Sequence, residues 1–223
     1  MDCRQLAKLI DHSLLQANTS ESDLQLACDI ARRYSVACLI VKPYHVAKAV
    51  ELMRGSGVPV GTTVGFPHGC NASAVKAFEA ETALKDGAVE VDMVANIGAV
   101  KSGDWRFVEQ DIAGVVAVAR PQRAIVKVII EACYLTNEEK VRVCEVVQAA
   151  GADFVKSTTG YGPSGAQPDD IRLMRQVVGP AMGVKASGGI RTLKQTLELI
   201  EAGANRIGTS STQAILEECA QRG

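Results

Sequence analysis

Short apolar runs alternate with longer stretches of helical periodicity along the whole chain. The residues between Cys3 and Ile10 predict a short N-terminal helix running into a first strand, Leu9 to His12. Cap residues in Thr19–Asp23 precede a helical pattern from Leu24 to Tyr34. Ala37 to Lys42 reads as a second strand stopped by Pro43, and Tyr44 to Arg54 as a helix ended by Gly55 and Gly57. Strands are then expected at Pro59–Gly65, Val89–Val94 and Ile125–Ala132, with helices at Asn71–Lys85, Trp105–Ala119 and Asn137–Ala150, Asn137 serving as a cap. A sixth strand ends on Lys156 and a seventh carries Lys185; the eighth is Arg206–Thr209. Helices at Asp169–Val178 (opened by Pro168), Leu193–Ala202 and Thr212–Ala220 complete the pattern.

One weak repeat supports this division. Asp86-Gly-Ala, Ala150-Gly-Ala and Ala202-Gly-Ala each place a glycine where a helix must end in the left-handed conformation and a strand begin at once. Strands alternating with helices predict an α/β fold, a closed (β/α)8 TIM barrel forming a single domain over residues 1–223. An open doubly wound sheet is the runner-up. No GxGxxG follows the first strand, so a dinucleotide site is not expected.

Composition narrows the function classes. Hydrophobic residues make up 47% of the 223 residues, enough for a sizeable core, and aromatics only 4%. The formal net charge of −1 argues against nucleic acid or a membrane surface as the main partner. The seven cysteines form no CxxC pair and read as reduced thiols of a cytoplasmic protein. Neither a signal peptide nor a membrane-spanning run is expected.

The candidate chemistry lies at strand ends, where barrels place their active sites. Alternation along Val89-Glu-Val-Asp-Met-Val94 turns Val89, Val91 and Met93 towards the helices and Glu90 and Asp92 inward. The same rule puts Lys127 and Glu131 inside. Lys156 and Lys185 end apolar runs on adjacent strands, which lie about 4.8 Å apart. Two ammonium groups that close, away from water, depress each other's pKa, and a neutral lysine forms a Schiff base with a carbonyl. Asp92 is the candidate proton shuttle. The structural alternative is an inward ion-pair network that only fills the barrel, and this physics does not decide which lysine is the nucleophile.

A second constellation is Ser187-Gly-Gly-Ile-Arg191 after strand seven with Gly208-Thr-Ser-Ser211 after strand eight, an expected phosphate site at the loops where barrels often bind one, the alternative being two ordinary tight turns. Metal is not expected: His12, His45 and His68 lie on different loops or strand ends with no ligand pair at helical spacing; His12 and His68 either line the mouth or, the more ready reading, are structural histidines. No cofactor is called for. Lys42 either touches substrate or lies along the surface, and Cys38 reads as core.

Ordered motifs at matching spacing now accumulate: Ile10-Asp-His-Ser-Leu-Leu15, Gly65-Phe-Pro-His-Gly69, Glu90-Val-Asp-Met-Val-Ala-Asn-Ile-Gly-Ala99, Lys101-Ser-Gly-Asp104, Val126-Lys-Val-Ile-Ile-Glu131, Phe154-Val-Lys-Ser-Thr-Thr-Gly160 and Val184-Lys-Ala-Ser-Gly-Gly-Ile-Arg191. Over nearly its whole length the chain resembles the deoxyribose-phosphate aldolases, class I enzymes with a (β/α)8 barrel. The resemblance implies a Schiff base on Lys156, with Lys185 as the perturbing neighbour and Asp92 in the proton relay. It implies phosphate binding by Thr159, Gly160, Ser187, Gly188, Gly189, Gly208, Thr209 and Ser210. The implied reaction is reversible cleavage of 2-deoxy-D-ribose 5-phosphate to acetaldehyde and D-glyceraldehyde 3-phosphate, in deoxynucleoside breakdown. The implied partners are the sugar phosphate and aldehydes, with a homodimer or homotetramer as the assembly. Two departures stand out: Lys42 where many members carry asparagine, and Lys156-Ser-Thr-Thr-Gly-Tyr161 where the familiar order is Lys-Thr-Ser-Thr-Gly-Phe. The rival readings are a different phosphate-binding Schiff-base barrel and a catalytically silent sugar-phosphate-binding barrel.

Overall fold

The computed structural model describes residues 2–222; Met1 and Gly223 lie outside the described residues. In chain order the elements are α1 (Cys3–Ala7), β1 (Ile10–Leu14), α2 (Glu21–Tyr34), β2 (Cys38–Val41), α3 (Val46–Leu52), β3 (Val60–Val64), α4 (Ser73–Lys85), β4 (Glu90–Val94) and α5 (Ile97–Lys101). They continue with α6 (Trp105–Ala119), β5 (Ile125–Ile129), α7 (Asn137–Ala149), β6 (Phe154–Lys156), α8 (Pro168–Val178), β7 (Gly183–Ser187), α9 (Leu193–Glu201), β8 (Arg206–Thr209) and α10 (Thr212–Arg222). All eight strands are parallel and close in sequence order, with β8 pairing back onto β1. This is the (β/α)8 barrel expected.

Strand alternation builds two cores. Outward residues such as Val91, Met93, Val126, Val128, Val184 and Ile207 are buried against the surrounding helices. Inward positions hold a mostly charged interior: Asp11, Glu90, Asp92, Lys127, Lys156 and Lys185 are all buried. The left-handed glycines appear where the repeat required them, with φ of 100° at Gly87, 79° at Gly151 and 114° at Gly203.

Several boundaries differ from expectation for local reasons. Residues 97–101 form α5, capped by Asn96, whose side chain accepts from the Ala99 N–H. The cap of α7 is Thr136, reciprocated by Glu139, and Asn137 is already helical. The first turn expected in the Tyr44–Arg54 helix is a 3₁₀ turn at Pro43–His45. β5 stops at Ile129, because Glu131 takes a left-handed backbone, φ 51°, and leads into a 3₁₀ turn at Ala132–Tyr134.

Contrary to expectation, the seven cysteines are not all reduced thiols. Cys3 and Cys219 are joined in a disulfide, while Cys28, Cys38, Cys70, Cys133 and Cys144 are free. The pair is 216 residues apart in sequence. Barrel closure sets β1 beside β8, and so α1 against α10, with the two Cα atoms 5.9 Å apart. Spacing along the chain carries no trace of that contact.

Candidate active site

The barrel interior holds one connected network of charges. Lys156 and Lys185 stand opposite each other in the β6–β7 register, and Asp92 stands opposite Lys127 in the β4–β5 register. One oxygen of Asp92, Oδ2, accepts from both Lys156 and Lys185 at 2.7 Å. Its other oxygen accepts from Lys127 at 2.8 Å. Lys185 also donates to Asp11 at 2.5 Å, and Lys127 lies 2.5 Å from Glu90. Arg206 closes the lower end, 2.7 Å from Asp11 and 3.5 Å from Glu90. A Cβ on Gly208 would lie 3.0 Å from Lys185 Cε and 2.9 Å from Ser187 Cβ, so glycine there gives the lysine its passage.

Counting charges shows which group carries the strain. Asp11, Glu90 and Asp92 face Lys127, Lys156, Lys185 and Arg206, so the cations exceed the carboxylates by one. The excess falls on Lys156. Burial pushes its ammonium down; Asp92 pulls it back up, Lys185 pushes it down again, and the balance rests at about 8. Burial opposes charge on Lys127 too, but Asp11, Asp92 and Glu90 hold its ammonium well above the usual range. Burial would raise the Asp92 carboxyl, yet Lys127, Lys156 and Lys185 together hold it well below the carboxylate range. At neutral pH the network therefore pairs an ionised Asp92 with an amine that readily gives up its proton.

Above the lysines lies a cavity of about 180 Å³. Both Lys156 and Lys185 line it, as do all eight residues expected to bind phosphate: Thr159, Gly160, Ser187, Gly188, Gly189, Gly208, Thr209 and Ser210. Three of their hydroxyls, however, are engaged inside the protein. Thr159 Oγ1 donates to Glu131, Ser187 Oγ to the Thr158 carbonyl at 2.5 Å, and Thr209 Oγ1 to the Ile190 carbonyl at 2.6 Å. These side chains shape the loops, so an anion would be met mainly by main chain, by Ser210 and by Arg191. Gly188 and Gly189, with φ of 91° and 73°, give that main chain its turn, and α10 begins just beyond at Thr212.

Glu131 departs from the inward position expected of it. Its left-handed backbone carries it past the end of β5, where the buried carboxylate accepts the Thr159 N–H at 3.1 Å as well as the Thr159 hydroxyl. It clamps the loop that begins at Lys156. Asp11 and Arg206 also belong to the network; each follows or precedes a residue buried against the helices, Ile10 and Ile207, so strand alternation turns it inward. His12 Nδ1 meets the α10 Thr212 hydroxyl at 2.8 Å, and burial lowers the imidazole pKa to about 4. Lys42 does not line the cavity but reaches the β1–α2 loop. Asp11, Cys38 and Glu90 bring possible ligand atoms within 4.8 Å of one another, but Lys127 and Arg206 already hold both carboxylates.

A paired-lysine barrel of this kind has relatives. The family described as DeoC/LacD family aldolase matches residues 5–218. The chain belongs to this family. It is 53% identical over 219 residues to a deoxyribose-phosphate aldolase of Thermococcus kodakarensis, covering 97% of this chain and 98% of that one. It is 49% identical over 217 residues to the enzyme of the same name from Aciduliprofundum boonei, again covering 97% and 98%. Among solved structures, the aldolase QR15 superposes with a TM-score of 0.92 at 38% identity, covering 97% of this chain and 96% of that one. The deoxyribose phosphate aldolase of Aeropyrum pernix, described as having a unique tetrameric structure, superposes at 0.93 with 33% identity, covering 100% and 94%.

Proposed function

We propose that this family aldolase reversibly cleaves 2-deoxy-D-ribose 5-phosphate to acetaldehyde and D-glyceraldehyde 3-phosphate, with Lys156 as the Schiff-base nucleophile. The observation that carries the proposal is a single carboxylate oxygen, Asp92 Oδ2, bonded to two buried amines. Of these, Lys156 is depressed to about 8. A site that only bound a sugar phosphate has no use for such a pair.

Neutral Lys156 Nζ adds to the C1 aldehyde of the open-chain sugar, and loss of water gives the protonated imine. Its positive nitrogen draws electrons from the C2–C3 bond as the C3 hydroxyl gives up its proton. The bond breaks, releasing glyceraldehyde 3-phosphate and leaving the two-carbon enamine on Lys156. Protonation at C2 restores an imine, which water hydrolyses to acetaldehyde and free lysine. Asp92 and Lys185 move the protons, because Oδ2 touches both amines and Lys185 donates to Asp11 as well. The substrate's phosphate is held by the β6, β7 and β8 loops through Gly160, Gly188, Gly189, Gly208 and Ser210, with Thr159, Ser187 and Thr209 keeping those loops in shape.

The whole chain works as one catalytic domain, in the cytoplasm, where phosphorylated sugars are retained. Among the described residues no helix is long and apolar enough to cross a membrane. We assign a homo-oligomer, dimer or tetramer, supported by the tetrameric Aeropyrum relative and by exposed Tyr44, Val75 and Phe78 around one surface hollow. Incubation with 2-deoxyribose 5-phosphate tests the activity: stoichiometric acetaldehyde and glyceraldehyde 3-phosphate support it, and a bound but uncleaved sugar contradicts it.

A further inference from the structure

One wall of the cavity is fastened by side chains that the catalytic network does not use. The loop between β1 and α2, residues 15–20, is largely exposed, yet it sets Leu15 and Gln16 on the cavity lining. From the β2 side the Lys42 ammonium donates to the carbonyls of Gln16, Ala17 and Thr19 at 3.1, 3.3 and 3.4 Å. From the β6 side Tyr161 reaches across the mouth, and its hydroxyl donates to the Leu15 carbonyl at 2.8 Å. The Tyr161 ring is braced edge-on by Phe66, with centroids 5.4 Å apart. Its backbone N–H donates to Thr159 Oγ1 at 3.0 Å, and Thr159 is gripped by Glu131. Four carbonyls of one short loop are thus held by two donors from opposite sides.

The wall matters because the two ends of a bound substrate are fixed elsewhere. One end is the carbon joined to Lys156; the other is the phosphate at Gly188, Gly189 and Ser210. A chain one carbon longer cannot lengthen between fixed ends and has to bow sideways. In a cavity of about 180 Å³, Leu15, Gln16 and Tyr161 stand among the groups it would meet. How far they yield depends on how firmly their loop is held.

We propose that Lys42 and Tyr161 are specificity-determining residues, which pin the Leu15–Gln16 wall so that the site takes a three-carbon phosphorylated acceptor aldehyde and refuses a longer one. The inference rests on the aldolase reading of the site.

The test is synthesis from acetaldehyde with D-glyceraldehyde 3-phosphate or D-erythrose 4-phosphate as acceptor, comparing kcat/KM. The wild type should prefer the shorter acceptor. Tyr161→Phe and Lys42→Met should each lower that preference by about tenfold, the effect of losing a hydrogen bond that orders the wall. The change should lie mainly in KM. Lys42→Arg, which keeps a cation able to reach the carbonyls, should recover most of it. The double variant should lose little more than the worse single one, since either release frees the same wall. Unchanged preference in both single variants, fully multiplicative effects in the double variant, or a wild type indifferent to acceptor length would each overturn the inference. Borohydride trapping of acetaldehyde on wild-type Lys156 separates the two failures. No adduct means that the aldolase reading is wrong; an adduct with unchanged preferences means that only the wall is.

Discussion

Replacing Lys185 by methionine should return the Lys156 amine to the ordinary lysine range. Both ammonium groups lie 2.7 Å from Asp92 Oδ2, so they are no more than about 5.4 Å apart. At an effective dielectric near 20, repulsion at that separation is about 3 kcal/mol, or roughly a hundredfold in the protonation equilibrium. The charge count points the same way. Without Lys185, the cations Lys127, Lys156 and Arg206 match Asp11, Glu90 and Asp92 one for one, so a protonated Lys156 completes the balance. Methionine keeps most of the volume and adds no charge. The assay is the rate of acetaldehyde trapping on Lys156 by cyanoborohydride as a function of pH, with folding checked by circular dichroism. The wild-type rate should rise through about pH 8, where the amine loses its proton. In Lys185→Met the rise should move to about pH 10, and the rate at pH 7.5 should fall about 75-fold as the neutral fraction shrinks. An inflection that stays near 8 in a folded variant would show that Lys185 does not depress the Lys156 amine.

Three further outcomes follow from the same geometry. Lys156→Met should abolish turnover yet stabilise the fold at pH 7 by on the order of 3 kcal/mol, because a buried ammonium lowered from 10.5 to about 8 opposes folding when charged. The sign is that of a depressed cation: the penalty is full below pH 8 and fades as pH rises towards 10.5, so calorimetry should show the variant's advantage shrinking over that window. Glu131→Gln should raise KM for the phosphorylated sugar by about tenfold while changing KM for unphosphorylated 2-deoxyribose little, since the clamp acts on Thr159 beside the phosphate loops; equal effects on both sugars would count against it. Reducing the Cys3–Cys219 bond, or Cys3→Ser, should lower thermal stability by up to about 5 kcal/mol, the chain-entropy limit for a loop of this length, without altering KM.

Much of this molecule was legible in its sequence, and the reason is alternation. Each strand is buried on both faces but in different company: helices outside, charges inside. A period of two therefore separates Val91 and Met93 from Glu90 and Asp92 without reference to any structure. The same rule gave Lys127 its inward place and was available for Asp11 and Arg206. It failed at Glu131, where a left-handed backbone ends the strand and periodicity no longer applies. Alternation also carries no information on hydroxyl direction, so Thr159, Ser187 and Thr209 were legible as neighbours of the cavity but not as internal braces. Contacts made by ring closure, such as Cys3 with Cys219, or across the barrel mouth, such as Tyr161 with Leu15, join residues too far apart for any local pattern to record.

Lys156 is the amine assigned to carry the carbon chain. Incubation with acetaldehyde, reduction with borohydride, digestion and mass spectrometry read it out residue by residue. A stable two-carbon adduct on Lys156, forming faster as pH rises through about 8, is the expected result. An adduct on Lys185 with Lys156 unmodified would reverse the roles assigned to the two lysines. Absence of any adduct in folded protein that still binds the sugar phosphate would overturn the Schiff-base mechanism.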